Sequence, residues 1–261
     1  MPLGIIGGSG TGPFPLEAAE SRDLVTLYGS VTVTSGRLAG VDTHFVLRHG
    51  PSHLPPHRLD YRAHVRALAE LGATRVVGLS AVGSLSLKYP PGFIVLPSQY
   101  IDLVQDVWTF ADDRAVHADM AYPFCSQMRK VLTVVGKDVD GKVADGGNYA
   151  RTRGPQFESA GEVDMLLHLG AHLAGMTVTP EAKLFRELGV CYQPLCIVVN
   201  WAPGISDEEV THEGTLKGVE AGRHRIEAVL GRAAPQLAGL GHHEHGPERL
   251  SARSIGARPA G

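Results

Sequence analysis

A chain of 261 residues, 43% hydrophobic and 20% charged, is long enough to bury a substantial core and falls in the size range of a single α/β domain. Its net charge of −3 and pI near 6.5 exclude a global basic field that would hold nucleic acid or an anionic membrane, so any phosphate must be bound locally. Three cysteines, Cys125, Cys191 and Cys196, lack CxxC spacing and lie in or beside apolar runs, which reads as buried thiols in a reducing compartment.

Strand-like runs at 3–6, 32–35, 44–47, 75–79, 93–96, 148–152, 172–176 and 195–199 alternate with helical spacing. Tyr61, Val65 and Leu68 share one helical face, as do Val163, Leu166 and Leu167, and then Leu216, Val219, Ile226 and Leu230. The alternation predicts a single α/β domain with a largely parallel or mixed sheet, in which residues 31–49 read as an antiparallel hairpin about 36–41. No positively charged leader region opens the chain and no run approaches ~18 apolar residues, so a cytoplasmic protein is expected. The periodic pattern stops after Arg232. This predicts one folded domain over 1–232 and a disordered tail over 233–261, on which His242, His243 and His245 read as solvated rather than metal-binding.

Several polar clusters sit where these runs end, the place where open α/β sheets bind ligands. After the first strand comes Gly7-Gly8-Ser9-Gly10-Thr11-Gly12, whose amides and hydroxyl suit an anion, although Pro13 stands where a GxGxxG fingerprint needs glycine. Arg48 and His49 follow the hairpin; they suit phosphate oxygens or a solvated turn. Ser80 and Ala81 follow the fourth run, and Met176 ends the seventh with Thr177 just after it, before an expected helix start with Thr179 at the N-cap and Pro180 at N1. In Gly154-Pro155-Gln156-Phe157-Glu158-Ser159 an aromatic ring beside a carboxylate suits a purine, with the acid accepting N–H protons; a helix N-terminus is the structural alternative. Asn200 ends the last run. Its amide offers a donor and an acceptor to the N7/O6 edge of a 6-oxopurine, and equally suits a turn.

Taken in order, these segments resemble the purine nucleoside phosphorylase and methylthioadenosine phosphorylase family over roughly residues 3–231. The resemblance rests on Gly-Ile-Ile-Gly-Gly-Ser-Gly at 4–10, Arg-His-Gly at 48–50, Ala-Val-Gly-Ser-Leu at 81–85, Pro-Phe-Cys at 123–125, Gly-Pro-Gln-Phe-Glu-Ser at 154–159 and Gly-Met-Thr-Val-Thr-Pro-Glu-Ala at 175–182. It implies that Ser9, Arg48, His49, Ser80, Ala81 and Thr177 bind phosphate, that Tyr149 and Met176 line the ribose, and that Phe157 stacks on the base. It further implies base recognition by Glu158 and Asn200, which match the 6-oxopurine branch rather than the serine and aspartate of the adenine branch. His212 matches a histidine set against the 5′-hydroxyl, and His117 a residue lent to a neighbouring subunit. The family fold, a single-domain α/β sandwich with a central mixed β-sheet flanked by helices, is implied as well, and so is a homotrimer, or a hexamer built as a dimer of trimers. The chain departs from the family's usual Asn-Tyr-Arg-Ala-Asn with Asp60-Tyr61-Arg62-Ala63-His64.

The implied reaction is reversible phosphorolysis of inosine or guanosine to free base and ribose 1-phosphate. Orthophosphate would be a co-substrate, with no metal, cofactor or protein nucleophile, and Asn200, Glu158 and His49 as the catalytic set. The closest alternative is phosphorolysis of S-methyl-5′-thioinosine or S-methyl-5′-thioadenosine. A hydrolytic nucleosidase would have no use for the phosphate cluster, and a purine-binding module would show no turnover.

Overall fold

The computed structural model describes residues 1–207 and 210–241. Eleven strands form one mixed sheet, and all eight predicted runs fall on strands of it. β1 (Leu3–Gly7) lies between β4 (Val41–Leu47) and β5 (Arg75–Ser84), parallel to both, and β11 (Cys191–Trp201) runs parallel along β5. β5 is also met by β10 (Leu173–Gly175), antiparallel, from which β9 (Asn148–Arg151) and β7 (Gln99–Asp102) continue in parallel. β6 (Ile94–Leu96) and β8 (Val143–Asp145) extend the sheet from β11. The expected hairpin is β3 (Gly29–Leu38) with β4, turning on Ala39 and Gly40 with φ of 48° and 79°, the positive pair that a two-residue hairpin turn requires. β2 (Glu17–Thr26) adds an edge strand whose exposed side chains carry no strand signal.

Successive β-strand residues face opposite ways, so the central strands feed two cores. Val33, Val46 and Val76 meet α1 (Tyr61–Glu70) and α4 (Val178–Glu187), while Ile5, Val77 and Ile197 meet α2 (Ser126–Asp140) and α5 (His212–Ala238). α1 starts where Asp60, as N-cap, accepts from the Arg62 amide at 3.0 Å, and its buried Tyr61, Val65 and Leu68 are the residues the helical spacing named. α3 (Ala160–His168) covers a smaller cluster around Val163 and Leu166. α4 begins at Val178 with Thr177 as N-cap, two residues before the expected start, because the chain turns directly out of β10. α5 runs to Ala238, six residues past the expected boundary: Ala233, Ala234 and Leu237 are fully buried, so small side chains sustain the packing there without a strong periodic signal. Arg75 donates to the Leu240 carbonyl and ties that end to β5. The remainder of the predicted tail, with His242, His243 and His245, lies outside the described residues.

Cys125, Cys191 and Cys196 are buried and form no disulfide. Among the described residues no helix is long and apolar enough to cross a membrane.

Candidate active site

The carboxyl ends of β1, β4, β5 and β11 come together at one end of the sheet, and the loops leaving them close around a cavity of about 240 Å³. Ser9, Arg48, His49, Ser80, Ala81, Met176, Thr177, Phe157, Glu158, Asn200 and His212 all line it. Chain segments that are distant in sequence thus reach one space, as expected at the strand ends of an α/β sheet.

One end of the cavity is built for an anion. Ser80 is 4% exposed with only a long 3.4 Å contact from Oγ to the Ala81 carbonyl, and Ser9 and Thr177 spend no hydroxyl on a described residue. Thr177 is the N-cap of α4 but makes no side-chain cap, so its hydroxyl and the positive end of the helix face the cavity together. Arg48 is 1% exposed and is held from behind. Its Nε and Nη2 donate to the two carboxylate oxygens of Glu181 at 2.5 and 3.0 Å, and its Nη1 donates to the Leu79 carbonyl at 2.8 Å. Of the five guanidinium N–H groups three are therefore engaged, leaving one on each terminal nitrogen for a ligand. Burial alone would lower the Arg48 pKa, but the Glu181 charge and hydrogen bonds hold it above its ordinary value. Tyr192 completes the support by donating to Glu181 Oε2 at 2.6 Å, and burial beside that carboxylate keeps its phenol protonated. Neither Glu181 nor Tyr192 was legible as a site residue, because a glutamate in a first helical turn already has a local explanation.

Two glycines make room for this network. A side chain at Gly8 would stand 2.6 Å from the Leu79 carbonyl and 2.9 Å from Arg48 Nη1, and one at Gly78 would stand 2.8 Å from the Tyr192 ring. Beside Arg48, His49 donates from Nδ1 to the Leu54 carbonyl at 2.7 Å. Burial, and then the Arg48 charge, push its pKa down to about 4, so it is neutral at physiological pH. His53, at the end of the same 47–53 segment, lies at φ 50° in the following turn; its ring stacks on His49 at 5.0 Å and reaches His212 at 5.5 Å. The signal available for it was only its place four residues after His49.

The other end suits a flat heterocycle. β11 carries an irregularity between Val198 and Asn200, which pair with the consecutive residues Val82 and Gly83 of β5. The extra residue, Val199, is what brings both Val199 and Asn200 onto the cavity wall, the usual work of a β-bulge. Asn200 still lies within β11 and donates from Nδ2 to the Trp201 carbonyl at 2.6 Å, while a second N–H and the amide oxygen stay available. Glu158 does stand at a helix N-terminus, as the alternative had it, one residue before the N-cap of α3, but the cap itself is made by Ser159 in a capping box with Glu162, with Ser159 N–H to Glu162 at 2.8 Å and Glu162 N–H to Ser159 Oγ at 3.3 Å. Glu158 precedes that box, lines the cavity and has no hydrogen-bond partner among the described residues. Phe157 is 38% exposed, too open for a core aromatic, and lines the same end.

Two expected residues stand elsewhere. Tyr149 is fully buried behind the cavity wall rather than lining it; its hydroxyl accepts from the Thr177 amide at 3.1 Å, which orients the start of α4. His117 is exposed on the long 103–125 connection and does not line the cavity of its own chain. His64, at the position where the family pattern departs, has a buried Nδ1 without a partner among the described residues, and burial together with Arg48 lowers its pKa to about 4. A second cavity of about 600 Å³ adjoins the first through Pro56 and Glu158.

Residues 2–234 match the family model of the Phosphorylase superfamily. A probable S-methyl-5′-thioinosine phosphorylase of Methanopyrus kandleri is 38% identical over 88% of this chain and 90% of its own length. A 6-oxopurine nucleoside phosphorylase of Pyrococcus furiosus is 36% identical over 90% of this chain and 92% of its own. Among solved structures, a methylthioadenosine phosphorylase from an antarctic soil metagenomic library superposes with a TM-score of 0.86 at 31% identity, covering 97% of this chain and 95% of that one.

Proposed function

The chain belongs to the Phosphorylase superfamily, and on that footing we propose that it is a purine nucleoside phosphorylase acting on 6-oxopurine nucleosides such as inosine and guanosine. Orthophosphate occupies the Ser9, Arg48, His49, Ser80 and Thr177 end, and the purine lies on Phe157 between Glu158 and Asn200. The observation that carries this reading is Glu158: a carboxylate on the cavity wall, unpaired among the described residues and not needed for the helix it precedes. Such a group accepts the N1–H that a 6-oxopurine has and adenine lacks.

As a pentosyltransferase the enzyme breaks C1′–N9 with the electron pair leaving on the purine, while an oxygen of hydrogen phosphate bonds to C1′. Overall, the proton brought by hydrogen phosphate ends on the purine. Two effects lower the barrier. The anion is held next to C1′, and the charge developing on the purine is met by Asn200, whose remaining N–H donates to O6 and whose amide oxygen accepts from N7 once that nitrogen has taken up the proton. The set of groups requires no metal or cofactor. The Asn200→Asp variant should lose ~10²–10³ in kcat on inosine, because a carboxylate cannot donate to O6 and opposes the leaving charge. Unchanged inosine kinetics in a folded Asn200→Asp protein would leave Asn200 without a part in the chemistry.

One observation favours a second reading. His212 is exposed at the cavity mouth, and Val210, Leu54 and Pro203 line the same region, an apolar wall that suits a 5′-methylthio group. S-methyl-5′-thioinosine is therefore the rival substrate; it keeps the same base contacts and differs only at the 5′ end. A homotrimer that receives His117 from a neighbour belongs to the same proposal. Its support is the exposed apolar surface beside the second cavity, including Leu103, Val107 and Met165.

A further inference from the structure

Tyr149 and Arg151 stand two residues apart on β9, so their side chains leave the same face of that strand. Both end on a single peptide group. Arg151 Nε donates to the Met176 carbonyl at 3.3 Å, and the amide of the same peptide, that of Thr177, donates to the Tyr149 hydroxyl at 3.1 Å. The peptide is trans, so its C=O and N–H point opposite ways and a hold on each fixes the plane between them. That plane joins Met176 to Thr177, both on the cavity wall, where β10 turns into α4. The other edge of Arg151 is fixed from outside: Nη1 and Nη2 donate to the two carboxylate oxygens of Asp106 at 2.5 and 2.7 Å. Asp102, 3.6 Å from Nη1, is already engaged by Thr179 Oγ1 and Lys183 Nζ of α4 at 3.0 and 2.5 Å. Arg151 is 5% exposed, a buried cation set between the cavity wall and the 103–125 connection on which Asp106 lies.

We propose that Arg151 is a positioning residue for the reaction: by setting the plane of the Met176–Thr177 peptide, it sets where Thr177 and the first turn of α4 meet the anion relative to the sugar beside Met176. It touches no reacting atom. The inference rests on the cavity being the phosphate and nucleoside site, and adds the support that holds the junction of its two ends. Asp106 acts one step further out, keeping the guanidinium at the angle from which Nε reaches the carbonyl. The planar fork ties these two contacts together, which the single ammonium of a lysine cannot do.

Met176-Thr177 is the one Met-Thr step in the chain, so protein carrying ¹³C in its methionine carbonyls and ¹⁵N in its threonine amides gives a single HNCO peak, from this peptide. In Arg151→Lys the cation that balances Asp106 stays but the Nε donor is lost, and the peak should move. Phosphate affinity, read by calorimetry without nucleoside, should fall ~10-fold, the size of one hydrogen bond from a charged donor, while hypoxanthine affinity stays within ~2-fold because the base end lies away from the junction. Asp106→Asn keeps Nε and loosens its anchor, so it should move the peak the same way and weaken phosphate by about 3-fold. An unmoved peak in folded Arg151→Lys, or a moved peak with unchanged phosphate affinity, would overturn the proposal. So would equal losses of phosphate and hypoxanthine affinity, which is what a merely structural role produces. Should Arg151→Lys not fold, Asp106→Asn decides by the same readings. An unaltered protein that binds no phosphate would instead overturn the phosphate-site reading, and because the peak reports the peptide without any ligand, the two failures are told apart.

Discussion

Arg48 shows how little one side chain's type says about its work. The sequence suggests a fork offered to phosphate, but the Nε and Nη2 edge of that fork is closed on Glu181, 133 residues away. The pair is buried at 1% and 0% exposure, so its net charge is near zero, and on the proposed reading the anion is left mainly to hydroxyls, amides and two leftover N–H groups. Removing one partner of such a pair leaves the other uncompensated in low dielectric. The Arg48→Ala variant should therefore lose about 3–5 kcal/mol of stability, in addition to weakening phosphate binding. Arg48→Met combined with Glu181→Leu should recover most of that stability while phosphate binding stays weak. Urea unfolding of both variants and their phosphate KM values check this; an Arg48→Ala protein as stable as the unaltered chain would mean the pair is not buried as described.

At the scale of elements, what was legible followed from periodicity. Short apolar runs, several rich in Val and Ile, marked β1, β3 to β6 and β9 to β11 but not β2, β7 or β8, and the 61, 65, 68 spacing marked α1. No element was expected over α2: β-branched Val131, Thr133, Val134 and Val135 and an interior Gly136 weaken its helix propensity, whereas burial of Met128, Leu132 and Val135 on one face makes it a helix. Gly136 is tolerated there since a side chain would stand 2.5 Å from Val143. The site residues were legible because most of them sit where a strand ends; their supports, Glu181, Tyr192 and Tyr149, were not, because nothing local separates a buried supporting polar group from an ordinary one. Gly78 on β5 links the two levels. The Gly78→Ala change should force the Tyr192 ring away from Glu181 and cost about 1–3 kcal/mol through overpacking, with a rise in phosphate KM and little change in nucleoside KM. A Gly78→Ala protein with wild-type stability and kinetics would show that the ring has room the packing does not suggest.

For the molecule as a whole, His49 and His64 make stability depend on acidity. Both have folded pKa values lowered to about 4 from an ordinary 6.5, by burial first and by Arg48 second. The unfolded chain binds more protons than the folded one between those values, so stability is full above about pH 6.5 and falls as pH drops toward 4. Each histidine accounts for a loss on the order of 2–3 kcal/mol across that window. Urea midpoints measured from pH 7.5 to 4.5 should fall accordingly, and His64→Asn should flatten the slope; a midpoint constant over that range would contradict the buried neutral state of both rings.

The central claim joins the two ends of one cavity: a phosphate site and a base site selective for 6-oxopurines. Purine release from inosine, guanosine, adenosine, methylthioadenosine and methylthioinosine, each with and without orthophosphate, tests both ends in one experiment. The account predicts release from inosine or guanosine only when phosphate is present, with ribose 1-phosphate as the second product. It predicts adenosine slower by ~10⁴ or more, since a site built around a polar partner rejects the analogue that lacks it. Preference for methylthioinosine over inosine would transfer the assignment to the methylthio substrate, while adenosine turning over as fast as inosine, or release without phosphate, would contradict the account.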